Sequence, residues 1–289
     1  MRFTKLHGAG NDYIVIDARQ QERDWGSLSK AMCDRHLGVG ADGIILVMPS
    51  QHADIRMRMF NPDGSEAEMC GNGIRCFTRY VLERRILSPT QSEVRVETGA
   101  GIRTVIPIST DGKMTRARVN MGAPRLRAEE VPVNVTPYPY QGPLASTADV
   151  VVNHPFEVGG RVLYLTCVSM GNPHAVAFLQ EPVEAFPLRE IGPKVEHNPL
   201  FPRRVNFEIV NVVGGQILKA RVWERGAEET LACGTGACAV TVAARLQGLI
   251  GDKVDITLPG GVLMVEWDGK GDVWMEGPVE EVFEGEWRL

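Results

Sequence analysis

Met69-Cys70-Gly71-Asn72-Gly73-Ile74-Arg75-Cys76 and Ala232-Cys233-Gly234-Thr235-Gly236-Ala237-Cys238 are two versions of one stretch. Each is Cys-Gly-x-Gly opening a small or apolar run that reads as helix. Each follows a strand-like segment that ends in a polar residue. The first is Ile55-Arg56-Met57-Arg58-Met59-Phe60 before Asn61; the second is Lys219-Ala220-Arg221-Val222-Trp223 before Glu224. Asn61 to Cys70 is nine positions, and so is Glu224 to Cys233. Acidic turns fill both intervals, Asp63-Gly64-Ser65-Glu66 and Gly226-Ala227-Glu228-Glu229. Matched spacing over so unusual a composition reads as two copies of one supersecondary unit.

Working outward, residues 2–7 and 12–18 read as strands around the turn Gly8-Ala9-Gly10-Asn11-Asp12. Ser27 to His36 reads as a helix with Ser27 as N-cap and Gly38 past its end. Strands follow at 44–47 and 54–60, then a helix from about 71 to 85, then strands near 92–98, 102–108 and 115–121. Residues 122–147 are rich in proline and glycine and read as a crossing between domains. The second half repeats this grammar. Strand 162–168, the turn Ser169-Met170-Gly171-Asn172-Pro173-His174 and strand 175–179 echo the Gly10-Asn11 turn. A short helix at 187–197, strands near 205–212 and 216–223, a helix from about 234 to 248 and four short closing strands complete the chain. Many strands with one long helix per half predict α/β architecture: two pseudo-symmetric units, each wrapping a mixed or antiparallel sheet around a central helix.

The 289 residues suffice for two ordinary domains. A composition 44% hydrophobic and 23% charged is that of a globular protein, and a formal charge of −5 gives no reason to expect nucleic acid or an anionic membrane as partner. No apolar run reaches the roughly 20 residues of a membrane helix, and the N-terminus lacks a signal-type apolar region. The expectation is a cytoplasmic protein whose six cysteines are thiols.

A helix N-terminus carries unpaired amides and partial positive charge, and glycine lets the backbone approach an anion. A cysteine there is expected as a stabilised thiolate, its pKa drawn down from about 8.5. Two such cysteines supply what inversion at a carbon needs: one thiolate removes the α-proton, and an opposed thiol returns a proton to the other face. Other readings fit less well. Cys33, Cys76, Cys167 and Cys238 read as small core residues. Zinc wants closer cysteine pairs or neighbouring histidines, and the spacings here are Cys-x5-Cys and Cys-x4-Cys. Gly234-Thr235-Gly236-Ala237-Cys238-Ala239 fits a dinucleotide fingerprint, but an acidic turn separates it from its strand. None of the seven lysines adjoins either motif, so a pyridoxal Schiff base has no candidate. No metal or organic cofactor is expected. A thiol redox pair using Cys70 and Cys233 is the reading from another class; activity under reducing conditions separates the two.

The chain resembles the diaminopimelate epimerase family over essentially its whole length. The resemblance rests on His7-Gly8-x-Gly10-Asn11-Asp12, on Phe60-Asn61-x-Asp63-Gly64-Ser65 through Cys76, and on Ser169 to His174. Arg204-Val205-Asn206, Glu224-Arg225-Gly226, Ala232 to Gly236 and Leu258-Pro259-Gly260-Gly261 carry the rest. It implies a lobe of residues 1–120 to which a C-terminal strand, 278–289, returns, a second lobe of 121–277, the ligand in a cleft between them, and a homodimer. It implies epimerisation between LL- and meso-diaminopimelate in lysine and peptidoglycan precursor biosynthesis. Cys233 would accept the proton in the LL-to-meso direction and Cys70 would donate. Gly71, Asn72, Gly234 and Thr235 would hold the reacting carboxylate through backbone amides. Glu224 would take the reacting ammonium and Arg225 the distant carboxylate. Asn11, Asn61, Asn172 and Asn206 would bind the distant amino-acid head, and His174 and Glu224 would tune the thiols. A proline or hydroxyproline racemase is the nearest enzymatic alternative, but its substrate has no second amino-acid head for Arg225 and the asparagines. Gly43 stands where some members have a substrate-contacting glutamine, so its backbone is the candidate contact.

Overall fold

The computed structural model describes residues 1–135 and 149–288. The chain divides into two compact units, Met1–Asn120 with Glu276–Leu289, and Met121–Met275. The part of the proline- and glycine-rich crossing that spans 136–148 lies outside the described residues.

In the first unit, β1 (Arg2–Gly8) and β2 (Asn11–Asp17) form a hairpin. Helix α1 (Trp25–Cys33) leads to β3 (Gly43–Met48), which pairs parallel with β2. Antiparallel to β3 lies β4 (Ile55–Phe60), which turns back through the two-residue β5 (Glu66–Ala67) into α2 (Gly71–Glu83). β6 (Val94–Thr98) pairs parallel with β4 and antiparallel with β7 (Gly101–Thr110), and β8 (Lys113–Gly122) pairs antiparallel with β7.

The second unit repeats this order. β9 (His154–Val158) edges β10 (Arg161–Ser169), which forms a hairpin with β11 (Pro173–Phe178). Helix α3 (Leu188–Glu196) leads to β12 (Asn206–Gly214), parallel to β11. β13 (Ile217–Glu224) runs antiparallel to β12 and turns through β14 (Glu228–Thr230) into α4 (Gly234–Leu246). β15 (Lys253–Leu258) is parallel to β13 and antiparallel to β16 (Gly261–Glu266); β17 (Val273–Pro278) and β18 (Glu280–Glu286) follow. The last strand, β18, pairs antiparallel with β1, so it edges the first unit where β9 edges the second.

Burial explains the two long helices. Eleven of the thirteen residues of α2 and eleven of those of α4 are buried, so each is a core element wrapped by strands and not a surface helix. Their chemistry differs: α4 is almost wholly small and apolar, whereas α2 buries Arg75 completely. That guanidinium donates to the carbonyls of Gly71 and Pro278, tying α2 to the returning segment of chain. One local expectation needs correction. The N-cap of α1 is Asp24, not Ser27: the Asp24 carboxylate accepts from the Ser27 amide at 3.0 Å and from its hydroxyl at 2.6 Å. A carboxylate is the stronger acceptor for an orphan helix amide, and Ser27 serves as its partner.

Candidate active site

The sequence puts a cysteine at the cap of each central helix, and the backbone treats the two alike. Cys70 has extended dihedrals (φ −136°, ψ 123°) and its Sγ accepts from the Gly73 amide at 3.5 Å. Cys233 has φ −121°, ψ 113°, and its Sγ accepts from the Gly236 amide at 3.4 Å. A capping side chain takes one orphan amide. The earlier amides, those of Gly71 and Asn72 or Gly234 and Thr235, have no partner within the helix and carry its positive end. Glycine three residues after each cysteine makes room for the cap. A Cβ on Gly73 would stand 3.0 Å from Ile45 Cδ1, and one on Gly236 would stand 2.8 Å from Glu208 Oε1 and 3.3 Å from Cys233 Sγ.

Cys70 is partly exposed and lies 3.0 Å from the Tyr13 hydroxyl. Burial above all, then the neighbouring sulfur, holds the Tyr13 phenol well above its ordinary range. It therefore stays protonated, and phenol and sulfur share one hydrogen bond. The turn before β2 needs Gly10 at φ 90°, a left-handed conformation open to glycine, and this presents Asn11 to the helix. Asn11 Oδ1 accepts from the Asn72 side-chain amide at 2.5 Å, and Asn11 Nδ2 donates to Asp42 at 3.1 Å. Behind it lies an ionic cluster in which Arg35 bridges Asp12 and Asp42 and buried Lys5 pairs with Asp12 at 2.7 Å. Asn61 donates its side-chain amide to Ser65 within the β4–β5 turn. Gly43 lies in register with Tyr13, and a Cβ there would stand 2.7 Å from the Phe60 carbonyl oxygen.

Around Cys233 the same turn recurs with Gly171 at φ 97°. Asn172 donates Nδ2 to Thr235 Oγ1 at 3.2 Å, and its Oδ1 lies 3.0 Å from His174 Nε2. His174 is fully buried and its Nδ1 lies 2.7 Å from Glu208 Oε1. Thr235 Oγ1 is 3.5 Å from Cys233 Sγ. The Glu224 carboxylate accepts from the Thr230 hydroxyl and is hydrogen-bonded to the Cys233 thiol. Asn206 spends its side chain on backbone, donating to the Pro173 carbonyl at 2.9 Å and accepting from the Arg225 amide at 2.8 Å. The exposed Arg225 guanidinium donates to the Arg203 carbonyl.

The structure thus gathers Asn11, Asn72 and Cys70 in one unit, and Asn172, His174, Thr235, Cys233 and Glu224 in the other. Asn61, Asn206 and Arg225 hold turns and strand ends near them. One expectation is overturned. Burial, with the Glu224 and Glu208 carboxylates, pushes the Cys233 thiol well above its ordinary value, outweighing the hydrogen bonds from Thr235 and the Gly236 amide. At rest Cys233 is a thiol, not the stabilised thiolate that a helix N-terminus alone suggests. Burial likewise raises Glu224, with the Thr230 and Cys233 hydrogen bonds opposing it. Cys33, Cys76, Cys167 and Cys238 are buried, and burial carries Cys76 and Cys167 up to about 12, as suits core thiols. Sequence reasoning missed Tyr13, Glu208 and Thr230. Glu208 was the one with a signal: a lone acid within Phe207-Glu208-Ile209-Val210, a run otherwise suited to a buried strand.

Among the described residues no three His, Cys, Asp or Glu side chains are grouped to hold a metal ion, and no helix is long and apolar enough to cross a membrane. Comparison with known proteins gives the family. The model described as diaminopimelate epimerase matches residues 3–127 and 166–282. Over 99% of its length the chain is 49% identical to the diaminopimelate epimerase of Acetivibrio thermocellus, of which it covers 98%. It is 47% identical to that of Moorella thermoacetica, with all of both chains aligned. Among solved structures it is similar to a Bacillus anthracis phenazine biosynthesis protein of the PhzF family (TM-score 0.68, 17% identity, covering 100% of this chain and 99% of that one). It is similar also to a hydroxyproline epimerase from Agrobacterium vitis (TM-score 0.68, 16% identity, 99% and 91% covered). At such identities these two likenesses bear on the fold alone. The family match, the near-complete alignment with its relatives and the two cysteine-capped helices agree: the chain belongs to the diaminopimelate epimerase family.

Proposed function

We propose that this protein interconverts LL- and meso-2,6-diaminopimelate with Cys233 and Cys70 as its acid/base pair. The observation that carries the reading is the repeated cap: two sulfurs at the N-termini of two equivalent buried helices, in a chain of this family. In the LL-to-meso direction the Cys233 thiolate takes the α-proton and becomes a thiol. The electron pair left on carbon delocalises into the adjacent carboxylate. The Cys70 thiol then gives its proton to the opposite face and is left as thiolate. The reverse direction exchanges the roles, and the chemistry needs no further group.

The amides of Gly71, Asn72, Gly234 and Thr235 suit the carboxylate on which charge develops. Glu224 is the seat for the reacting ammonium. The resting state of Cys233 gives that seat a second purpose. A cation bound against Glu224 offsets the carboxylate that holds the thiol protonated, so substrate arrival favours release of the Cys233 proton to water and leaves the thiolate. Arg225 is assigned the distant carboxylate, and Asn11, Asn61, Asn172 and Asn206 the distant head, with the Gly43 backbone beside them. His174 acts on the Cys233 side. Residues 1–120 with 278–289 and residues 121–277 are the two working lobes, each supplying one thiol. A homodimer acting in the cytoplasm completes the reading.

Proton NMR in heavy water tests it. Reduced protein given LL-diaminopimelate should lose the α-proton signal as the meso isomer forms. Folded, reduced protein that exchanges no α-proton would rule the reading out.

A further inference from the structure

Glu208 has no role in the two-thiol reaction as described, yet its carboxylate is 1% exposed. Its Oε2 has no hydrogen-bond partner, and His174 is its one ion pair among the described residues. A buried carboxylate is costly unless charge-paired. The two units differ at this position. β2 and β3 align Val15 with Ile45, while β11 and β12 align Val176 with Glu208. Ile45 packs beside Gly73, as Glu208 packs beside Gly236. The acid therefore occurs only in the unit that also has a histidine, His174, where the first has Tyr13.

The direction of each hydrogen bond follows from the groups present. A carboxylate only accepts, so His174 Nδ1 carries a proton. Asn172 turns its Oδ1 to Nε2, and an amide oxygen only accepts, so Nε2 donates there as well. That turns the Asn172 amide to donate to Thr235 Oγ1. Accepting from Asn172 leaves the Thr235 hydroxyl proton available to Cys233 Sγ, 3.5 Å away. We propose that Glu208 is a positioning residue: through His174, which donates from its ring nitrogens, and Asn172 it polarises one chain of hydrogen bonds that ends with the Thr235 hydroxyl donating to the Cys233 sulfur. Cys70 needs no such chain, since the Tyr13 hydroxyl is hydrogen-bonded to it directly. The proposal rests on Cys233 working as a thiolate.

Glu208→Met tests it, because methionine is near in size and offers a weak acceptor without charge. The ring becomes neutral with its proton on Nδ1. Bare Nε2 then draws the Asn172 amide, and the Thr235 hydroxyl turns to Asn172. Alkylation of Cys233 by iodoacetamide, followed site by site by mass spectrometry on the reduced protein, should slow about tenfold, the value of one charged hydrogen bond. The anion and the ring charge are lost together, so the net charge of the pair is unchanged, and the Thr235→Val background separates the chain from plain electrostatics. On a Thr235→Val background Glu208→Met should add no further loss. Nitrogen-15 NMR of His174 in the unmutated protein should find both ring nitrogens protonated, whether or not the variant folds. Faster or unchanged alkylation, or a neutral His174 ring, would overturn the proposal. Normal turnover with unchanged alkylation would remove the chain alone; turnover by Cys233→Ala would remove the two-thiol reading instead.

Discussion

The two halves of this chain solve one problem with different side chains. Each must hold a sulfur at a helix N-terminus with a hydroxyl donor beside it. Register makes the correspondence explicit. Tyr13 aligns with Gly43, and His174 aligns with Asn206, so Tyr13 stands where the second unit has His174. Asn61 likewise stands where the second unit has Glu224, nine residues before its cysteine. The first unit aims a phenol straight at Cys70 and leaves the sulfur partly exposed. The second buries Cys233 beside two carboxylates and reaches it through Thr235. The backbone that places the sulfurs is alike in the two units, and the side chains that surround them differ.

The largest expected effect would break the comparison if it failed on one side only. Cys70→Ala and Cys233→Ala should each reduce turnover by about a thousandfold or more, the scale of a positioned acid or base. Cys167→Ala should leave the rate near that of the unmutated protein. Equal losses from all three in a steady-state assay would mean that a core thiol had been mistaken for structure.

The second test compares what backs each turn asparagine. Asn11 leans on the Lys5–Asp12–Arg35–Asp42 cluster, Asn172 on His174 and Glu208. Burial pushes the Asp12 carboxyl up, but hydrogen bonds from Arg35 and Lys5 outweigh it and hold it below the usual carboxylate range. A depressed carboxyl contributes stability that is present above about pH 4 and is lost as pH falls through its folded value. Asp12→Asn should therefore cost roughly 3 kcal/mol at neutral pH, because buried Lys5 loses its counter-charge. Chemical denaturation from pH 3 to 7 should also find a weaker acid response in the variant. A variant with the unmutated protein's acid profile would place that sensitivity elsewhere.

Glu224→Gln sharpens the contrast between Asn61 and Glu224. Losing a charged contact to the reacting ammonium should lower kcat/KM by about 10- to 100-fold. The same change should speed iodoacetamide labelling of Cys233 in the empty protein, because one of the anions raising that thiol is gone. Slower labelling would contradict the electrostatics described for the resting state. The smallest effect is expected from Tyr13→Phe. Loss of one neutral hydrogen bond, about 1 kcal/mol, should slow Cys70 labelling roughly fivefold and leave Cys233 labelling unchanged. Equal slowing at both sites would indicate a general disturbance.

Much of this was legible in residue order. The repeated Cys-Gly-x-Gly, its nine-residue lead and the Gly-Asn turns mark the matching strand–turn–helix elements, because local backbone demands leave local signatures. The N-cap of α1 lies three residues before Ser27, since Asp24 and Ser27 are both good caps and only the closed turn decides between them. Helix capping is local too, which is why both cysteines could be placed at helix starts from spacing alone.

Side-chain environment was not legible. A helix N-terminus argues for a lowered thiol pKa, and for Cys233 the folded chain reverses the sign by burying it beside Glu224 and Glu208. Those acids lie 9 and 25 positions away in sequence, and desolvation depends on what the whole unit packs around a sulfur. The partners of Asn11, Asn172 and His174 likewise come from other strands and other turns. By itself the sequence determined where the two sulfurs sit along their helices, because capping and glycine spacing act over a few bonds. Only the tertiary structure decided which of them is buried, which hydroxyl serves each, and that a lone acid in an apolar strand faces a histidine, because solvation and hydrogen-bond direction belong to groups brought together in space.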